Sequence, residues 1–179
     1  TPTEVPEVKG TDPRDPDQEM SRPNSNDAPF SGLVFKVVSD THGDLTYCRI
    51  YSGTLKKGTR VLNPGNGKKE IVSRIYEMHA KDRMALDSVG AGNIVALVGI
   101  KDSMTGDTLC AADDPIALER MTFPEPVISM SIEPKTADDK KKLTDALITI
   151  KREDPSFRSE FNEETGQTII EGMGELHLE

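Results

Sequence analysis

The strand-like runs between residues 30 and 120 are short, and most of them end at a turn that contains glycine. Leu45 to Tyr51 alternates between apolar and polar side chains, as a half-buried strand does. Asn93 to Ile100 is a nearly continuous apolar run, and Asn63 to Gly67 is a typical turn cluster. Strands that recur about every ten residues between such turns indicate a small antiparallel barrel or sandwich. A barrel is favoured because these strands include no charged edge strand that would prevent pairing at a sheet edge.

Residues 121–179 change from this pattern to a mixture of strand and helix. Val127 to Ile132 alternates, which predicts a strand. Thr136 occupies an N-cap position with Asp139 three residues later, so we expect a helix to begin there. The helix should end before Asp154-Pro155, because proline biases its predecessor toward extended geometry.

Two more strands and the start of a second helix follow. Ser156 to Phe161 and Gln167 to Glu171 flank a turn-rich loop, which predicts a hairpin, and Gly172-Met173-Gly174 leads into the helix. The order βαββα lacks one strand of a ferredoxin-like unit. The predicted fold class is therefore β plus α/β: a small antiparallel β-barrel followed by a C-terminally truncated ferredoxin-like βαββα domain. We expect uncovered apolar surface, with self-association or local disorder near residues 170–179.

Residues 1–29 hold six prolines among many acidic and small polar side chains. Neither a helical nor a strand period is present, which predicts a linker or a strap lying on a neighbouring domain. The predicted organisation is thus a linker over residues 1–29, a β-barrel over 30–120 and a truncated ferredoxin-like domain over 121–179.

The sequence contains no motif for binding nucleotide phosphates or metals, and none for a catalytic nucleophile. Gly-x-x-x-x-Gly-Lys-Ser/Thr, Gly-x-Gly-x-x-Gly, Cys-x-x-Cys and Gly-x-Ser-x-Gly are all absent, and the three histidines lack metal-ligand spacing. We therefore predict no catalytic and no metal site. Cys48 and Cys110 lie far apart in apolar runs, as buried reduced thiols do. No apolar run reaches the roughly 18–20 residues of a membrane helix.

Two lysine pairs in barrel turns are the candidates for nucleic-acid contact. The net charge of −9 argues against general polyanion binding, but the acidic excess lies outside residues 30–120. Within this nearly neutral segment stand Lys56, Lys57, Lys68 and Lys69. They could contact an RNA backbone, or they could simply be solvated. Without neighbouring aromatic platforms, base stacking is not implied.

The run Gly172 to His177 has two interpretations. Glycines that expose backbone N–H groups at a helix start can bind an anion. A tight strand-to-helix turn also requires small residues, and it is the simpler explanation. His177 could donate a proton, or it could contact a neighbouring domain.

Several longer runs resemble one protein family. They are Leu45–Gly53, Lys57–Asn63, Lys101–Leu109, Phe123–Ile128, Glu153–Arg158 and Glu164–Leu178. Together they resemble the second and third domains of bacterial-type elongation factor G, a translational GTPase. The resemblance extends from Asp27 to the end of the chain, so it implies a fragment that contains the second domain and most of the third.

The resemblance also implies a function. The parent would use GTP, with Mg²⁺, to drive translocation of tRNA and mRNA on the ribosome in the cytoplasm. Its GTPase domain would precede residues 1–29, so this fragment would bind no nucleotide or cofactor and would not be an enzyme. The expected partners are small-subunit ribosomal RNA, a small-subunit protein and the parent's own GTPase domain, but not a membrane.

The resemblance further implies a face that contacts the GTPase domain and lines the fusidic acid pocket. The matching positions are Pro124, Pro126, Asp154, Ser156, Gly172, Met173 and His177.

Two alternatives remain open from the sequence. One is a paralogous translational GTPase: a ribosomal protection protein, a LepA-like factor or an elongation factor G specialised for recycling. The other is a stand-alone RNA-binding barrel with an appended interaction module.

Overall fold

The computed structural model of the chain describes residues 5–40, 43–79, 82–119 and 122–179. It contains two compact units, Thr1–Arg120 and Met121–Glu179. The first unit consists of antiparallel strands, and the second combines strands with two helices. The architecture agrees with the predicted class of a β-barrel followed by a smaller α/β domain.

The first unit has thirteen strands in its described part. In chain order they are β1 (Val8–Asp12), β2 (Asp15–Arg22), β3 (Ser31–Asp40), β4 (Gly43–Ser52), β5 (Thr54–Lys56), β6 (Arg60–Asn63), β7 (Lys68–Ile71), β8 (Arg74–His79), β9 (Asp82–Leu86), β10 (Ser88–Gly90), β11 (Ile94–Val98), β12 (Thr108–Cys110) and β13 (Ala117–Leu118). The main sheet has the order β7-β6-β12-β3-β4-β11-β8-β9, and β5 pairs separately with β10. Register shifts between β3 and β4 mark bulges, which bend strands and increase their twist.

One apolar core fills the inside of the barrel. Val34 and Ile50 of the main sheet share it with Leu55 and Val89 of the β5–β10 pair. Both sheets therefore enclose the same core, and each such buried side chain contributes about 1.5–3 kcal/mol. Cys48 is fully buried here as a free thiol, and burial raises its pKa to about 12.

The prediction of a strandless linker over residues 1–29 is wrong for residues 8–22. β1 and β2 form a hairpin, and β1 also pairs with β13. Val8 and Met20 pack on a small cluster around Ile116, next to an Arg22–Asp114 ion pair of 2.7 Å. Sequence pattern missed the hairpin because β2 is almost entirely exposed and therefore shows no apolar alternation.

The second unit is a three-stranded sheet with helices. Its elements are β14 (Ile128–Ile132), α1 (Ala137–Glu153), β15 (Arg158–Asn162), β16 (Gln167–Gly172) and α2 (Glu175–Leu178), and the strand order is β14-β16-β15. The predicted N-cap is confirmed: Thr136 Oγ1 accepts the Asp139 N–H at 3.1 Å. As predicted, α1 ends before Asp154-Pro155.

Much of the apolar surface of the second unit is uncovered. α1 buries none of its residues fully, and the buried apolar side chains in the described part of this unit are Phe157 and Ile170. Leu176 is 89% exposed. The predicted self-association or local disorder near residues 170–179 stays a prediction.

Candidate functional site

The loop that follows α1 is organised by one carboxylate. The Asp154 N–H donates to Ile150 O at 2.8 Å and so caps the helix. Asp154 Oδ1 accepts the Ser156 N–H at 2.9 Å and the Ser156 hydroxyl at 2.5 Å. Phe157, which comes next, is almost fully buried. The end of α1 is therefore tied to the start of β15 by local hydrogen bonds.

His177 joins this loop to the turn between β16 and α2. Its Nδ1 accepts the Met173 N–H at 2.9 Å, and its Nε2 lies 2.8 Å from Asp154 Oδ2. A backbone N–H can only donate, so Nδ1 carries no proton here, and Nε2–H donates to Asp154. The Phe157 ring meets the imidazole edge-on at 6.4 Å. We call the Met173–His177–Asp154 chain of hydrogen bonds the His177 link.

The link leaves Asp154 ionised. Burial would raise the pKa of its carboxyl, but hydrogen bonds from Ser156 and His177 outweigh burial and hold the pKa below its ordinary value. A charged acceptor strengthens each of these hydrogen bonds.

Gly172 is required by close packing rather than by its backbone angles. A Cβ at this position would lie 2.7 Å from His177 Nδ1 and 2.6 Å from Leu178 Cδ2. The Met173 N–H, which an anion would need, is already used by His177, and Glu175 lies in the first turn of α2. The geometry therefore favours the tight-turn interpretation of this run over the anion site.

Asp154, Ser156 and His177 are the residue types of a hydrolase triad, but their hydrogen bonds do not connect them in the order that catalysis requires. Asp154 lies in the middle, and the Ser156 hydroxyl donates to it rather than to the imidazole. The imidazole nitrogen that could act as a base instead accepts the Met173 N–H. Ser156 is therefore not activated as a nucleophile.

The structure thus brings together five of the seven residues predicted for this face: Asp154, Ser156, Gly172, Met173 and His177. Pro126 is adjacent, because the N–H of the next residue, Val127, donates to Gly172 O at 2.9 Å. Pro124 is exposed and lies two residues before Pro126 in the same segment. Between the two prolines, Glu125 pairs with Arg158 at 2.8 Å.

The four candidate lysines are all exposed, but they form two separate pairs. Lys56 is the last residue of β5, and Lys57 follows it. The N–H of the next residue, Gly58, donates to Val72 O, just after the end of β7, so this pair lies near that end of β7. Lys68 and Lys69 lie at the start of β7. The length of β7, about 13 Å, therefore lies between the two pairs. Each pair has one ion-paired member: Lys57 with Asp87 at 3.3 Å, and Lys68 with Asp102 at 3.2 Å.

Sequence reasoning missed a buried polar network behind the second lysine pair. Glu70 is 8% exposed, and its carboxylate accepts the N–H groups of Lys101 and Asp102 and the hydroxyl of Ser103. Asn63, which is fully buried, also donates to Ser103 Oγ at 3.1 Å. The available signal was Glu70 itself, an acidic residue within a short strand. The network fixes the loop that carries Asp102, the partner of Lys68.

Two family models cover most of the chain. The model of elongation factor Tu domain 2 matches residues 43–110, and the model of elongation factor G domain III matches residues 123–179. The chain is an elongation factor G-like segment with domains II and III. These domains are typical of translational GTPases.

One solved structure is also similar to the chain. The elongation factor G-like segment is similar to a protein from Thermus thermophilus whose crystal structure is known, with 30% sequence identity and a TM-score of 0.67. The similarity covers 84% of the segment and 23% of the Thermus chain. The segment therefore spans about a quarter of that protein's length.

In this elongation factor G-like segment, the His177 link belongs to domain III and the two lysine pairs belong to domain II. Within the described residues, no group of three His, Cys, Asp or Glu side chains could hold a metal ion. Across the same ranges, no helix is long and apolar enough to cross a membrane.

Proposed function

We propose that the segment is the ribosome-contacting and coupling part of a translocase of the elongation factor G type. The parent protein would hydrolyse GTP, with Mg²⁺, to drive tRNA and mRNA through the ribosome in the cytoplasm. Domain II would contact small-subunit ribosomal RNA. Domain III would contact a small-subunit protein and the parent's GTPase domain. The segment itself would perform no catalysis.

The His177 link is the observation that carries the coupling role. The turn Gly172 to Gly174 presents Met173, which is 39% exposed, on the surface. The backbone of this turn is held by His177, which is held in turn by Asp154 at the end of α1. A neighbouring domain that presses on the turn would therefore act on two elements of domain III together. The exposed Pro124 and the half-buried Pro126 extend the same face.

The lysine pairs support the ribosome-contacting role. Their partners Asp87 and Asp102 are exposed, and exposed ion pairs contribute only about 0.2–1 kcal/mol. An RNA phosphate can therefore displace either carboxylate at little cost. Each phosphate that is neutralised also releases counterions, which makes binding dependent on salt.

Binding to purified small ribosomal subunits tests this role. We expect K56E/K57E/K68E/K69E to weaken binding at least tenfold and to reduce its dependence on salt. The matched control is K140E/K141E/K142E/K151E on α1, which changes the net charge equally and should bind nearly as the unaltered chain does. Equal loss in both variants would show that the effect is not specific to the domain II lysines. Unchanged binding of the domain II variant would refute the predicted contact.

A further inference from the structure

We propose that the outer face of the barrel's main sheet binds unpaired RNA nucleotides, whose bases stack on Tyr47 and Tyr76. Lys36, Arg49 and Arg74 contact the phosphates of the same strand. The proposal deepens the RNA contact proposed for domain II and rests on it. It assigns that contact a second surface and a different chemistry, because the two lysine pairs reach phosphates alone. We call this surface the tyrosine face.

The tyrosine face is complete within the first unit. It is formed by β3, β4, β11 and β8, which lie in the middle of the main sheet and are paired on both sides. Val95 and Leu97 of β11 belong to the barrel core, so Ala96 between them points outward. Tyr47 is in register with Ala96 on one side and Tyr76 on the other. Both tyrosines therefore lie on the outer face, one strand to either side of Ala96.

The aromatic side chains of this face suit base stacking. All three tyrosines of the chain lie on it, because Tyr51 follows Tyr47 on the same side of β4. Tyr47 and Tyr76 are half-buried, and Ala96 between them is fully buried, so the flanking side chains cover its methyl group. Bases of any sequence can stack on aromatic rings of this kind. The face thus provides the aromatic platforms that the lysine pairs lack.

An exposed cation lies beside each of these rings. The distances are 5.6 Å from Lys36 Nζ to the centre of the Tyr47 ring, 5.1 Å from Arg49 Cζ to the centre of the Tyr51 ring, and 3.5 Å from Arg74 Nη1 to the Tyr76 hydroxyl oxygen. Unlike Lys57 and Lys68, none of the three cations is ion-paired with a carboxylate in the described part of the chain. Contacts between exposed cations and rings are weak. Each cation is therefore available to a phosphate while its ring holds a base.

The charge of this face is opposite to that of the chain. Across the strands, Tyr47 and Tyr76 are paired with Lys36, Ala96 and Ala85. By strand alternation, none of their described outward neighbours is acidic, although the chain has a net charge of −9. A basic surface with aromatic rings indicates a single-stranded nucleic acid. An acidic peptide would match the charges but would not require the rings.

Fluorescence anisotropy with a short fluorescein-labelled oligouridylate tests the stacking. Y47L/Y76L should weaken binding at least tenfold, because each stacked base contributes substantially to affinity. Y47F/Y76F should bind nearly as the unaltered chain does, because phenylalanine keeps the ring. The control is F161L, which removes a 49% exposed ring beside Lys140 in the second unit and should change nothing. Circular dichroism checks that each variant is folded. Equal binding by Y47L/Y76L and the unaltered chain would refute the proposal.

An abasic strand of the same length separates stacking from charge attraction. The unaltered chain should bind it at least tenfold more weakly than the oligouridylate, whereas Y47L/Y76L should bind both strands alike. This comparison decides the question on the unaltered chain even if the leucine variant is unfolded, because equal affinity for both strands would overturn the proposal. K36Q/R49Q/R74Q should reduce the slope of log affinity against log salt by about 2, since each single-strand phosphate contributes about 0.7.

Two further outcomes assign the contact elsewhere. K56E/K57E/K68E/K69E should keep the preference for the oligouridylate over the abasic strand, so failure of the lysine pairs on small subunits leaves this test intact. Loss of that preference in the lysine variant, with Y47L/Y76L unaffected, would place stacking away from the tyrosine face. Binding of an oligoglutamate peptide as tight as that of the oligouridylate, lost in K36Q/R49Q/R74Q but not in Y47L/Y76L, would show a site for acidic protein segments and refute RNA stacking.

Discussion

The Asp154 carboxylate has hydrogen-bond donors on both oxygens, Ser156 on Oδ1 and His177 on Oδ2. Its pKa is lower in the folded chain than in the unfolded chain, despite an opposing effect of burial. Stability from this group is therefore fully present above its unfolded pKa of about 3.9. It is lost as the pH falls through the lower, folded pKa.

We predict that D154N flattens the acid side of the stability profile. The side chain is 41% exposed, so solvent screens its interactions, and we expect a loss of about 0.5 kcal/mol near neutral pH. The difference between D154N and the unaltered chain should begin to shrink below about pH 4, where the carboxylate of the unfolded chain takes up a proton, and should go on shrinking as the pH falls through the lower, folded pKa. Urea unfolding at a series of pH values measures this difference in the free energy of unfolding. S156A should reproduce part of the effect, and parallel profiles for D154N and the unaltered chain would contradict it.

Sequence could predict the members of this cluster but not their connections. The resemblance named Asp154, Ser156 and His177, but no spacing rule shows that the aspartate bridges the other two. That arrangement depends on α2 folding back, so that His177 reaches across 23 residues of sequence to the end of α1. For Glu70, by contrast, neither the residue nor its connections were predicted, because its partners come from a loop about thirty residues away.

At the scale of elements, the turn between β16 and α2 shows how one glycine permits a contact. Gly172 leaves room for the imidazole, and the imidazole then holds the Met173 backbone. Gly174, two residues later, has open space where a Cβ would be, and its φ of 178° is ordinary extended backbone. The two glycines of one turn therefore differ in what they require.

We predict that G172A displaces His177 and destabilises domain III by about 1–3 kcal/mol, because the new Cβ enters occupied space. G174A, the matched control, should change stability by less than about 0.5 kcal/mol. Chemical denaturation measures both, and hydrogen exchange of the Met173 amide shows whether the His177 link is lost. Equal effects of the two substitutions would show that close packing at Gly172 is not the cause.

Helices and strands could be predicted where one face is buried or a local cap marks their end. They were missed where nearly all side chains are exposed. The N-cap at Thr136 and the end of α1 followed from local chemistry, which tertiary contacts did not override. β2 has one buried residue, Arg22, so its strand character comes from pairing with β1 rather than from its own pattern. Prolines at 13 and 16 also favoured a linker, although an edge hairpin tolerates them near its turn.

At the scale of the whole molecule, the described residues do not form the backbone of a phosphate-binding loop. Gly53 and Gly58 have the spacing of the two glycines in a phosphate loop, but Thr59 follows in place of the lysine. Between them lies strand β5, which pairs with β10, rather than a loop that opens a helix. Among the described residues, the helices are α1 and α2, and both belong to the second unit.

We therefore predict that the chain neither binds nor hydrolyses GTP. Millimolar GTP with Mg²⁺ should leave its thermal unfolding midpoint unchanged, because a ligand stabilises a protein only when it binds the folded state. Phosphate release should equal that of a buffer blank. The K56E/K57E/K68E/K69E variant, purified in the same way, controls for contaminating GTPases and also tests whether the turn lysines hold nucleotide. Hydrolysis that co-elutes with the unaltered chain and disappears in this variant would place a nucleotide site in domain II and contradict its assignment as a contact domain.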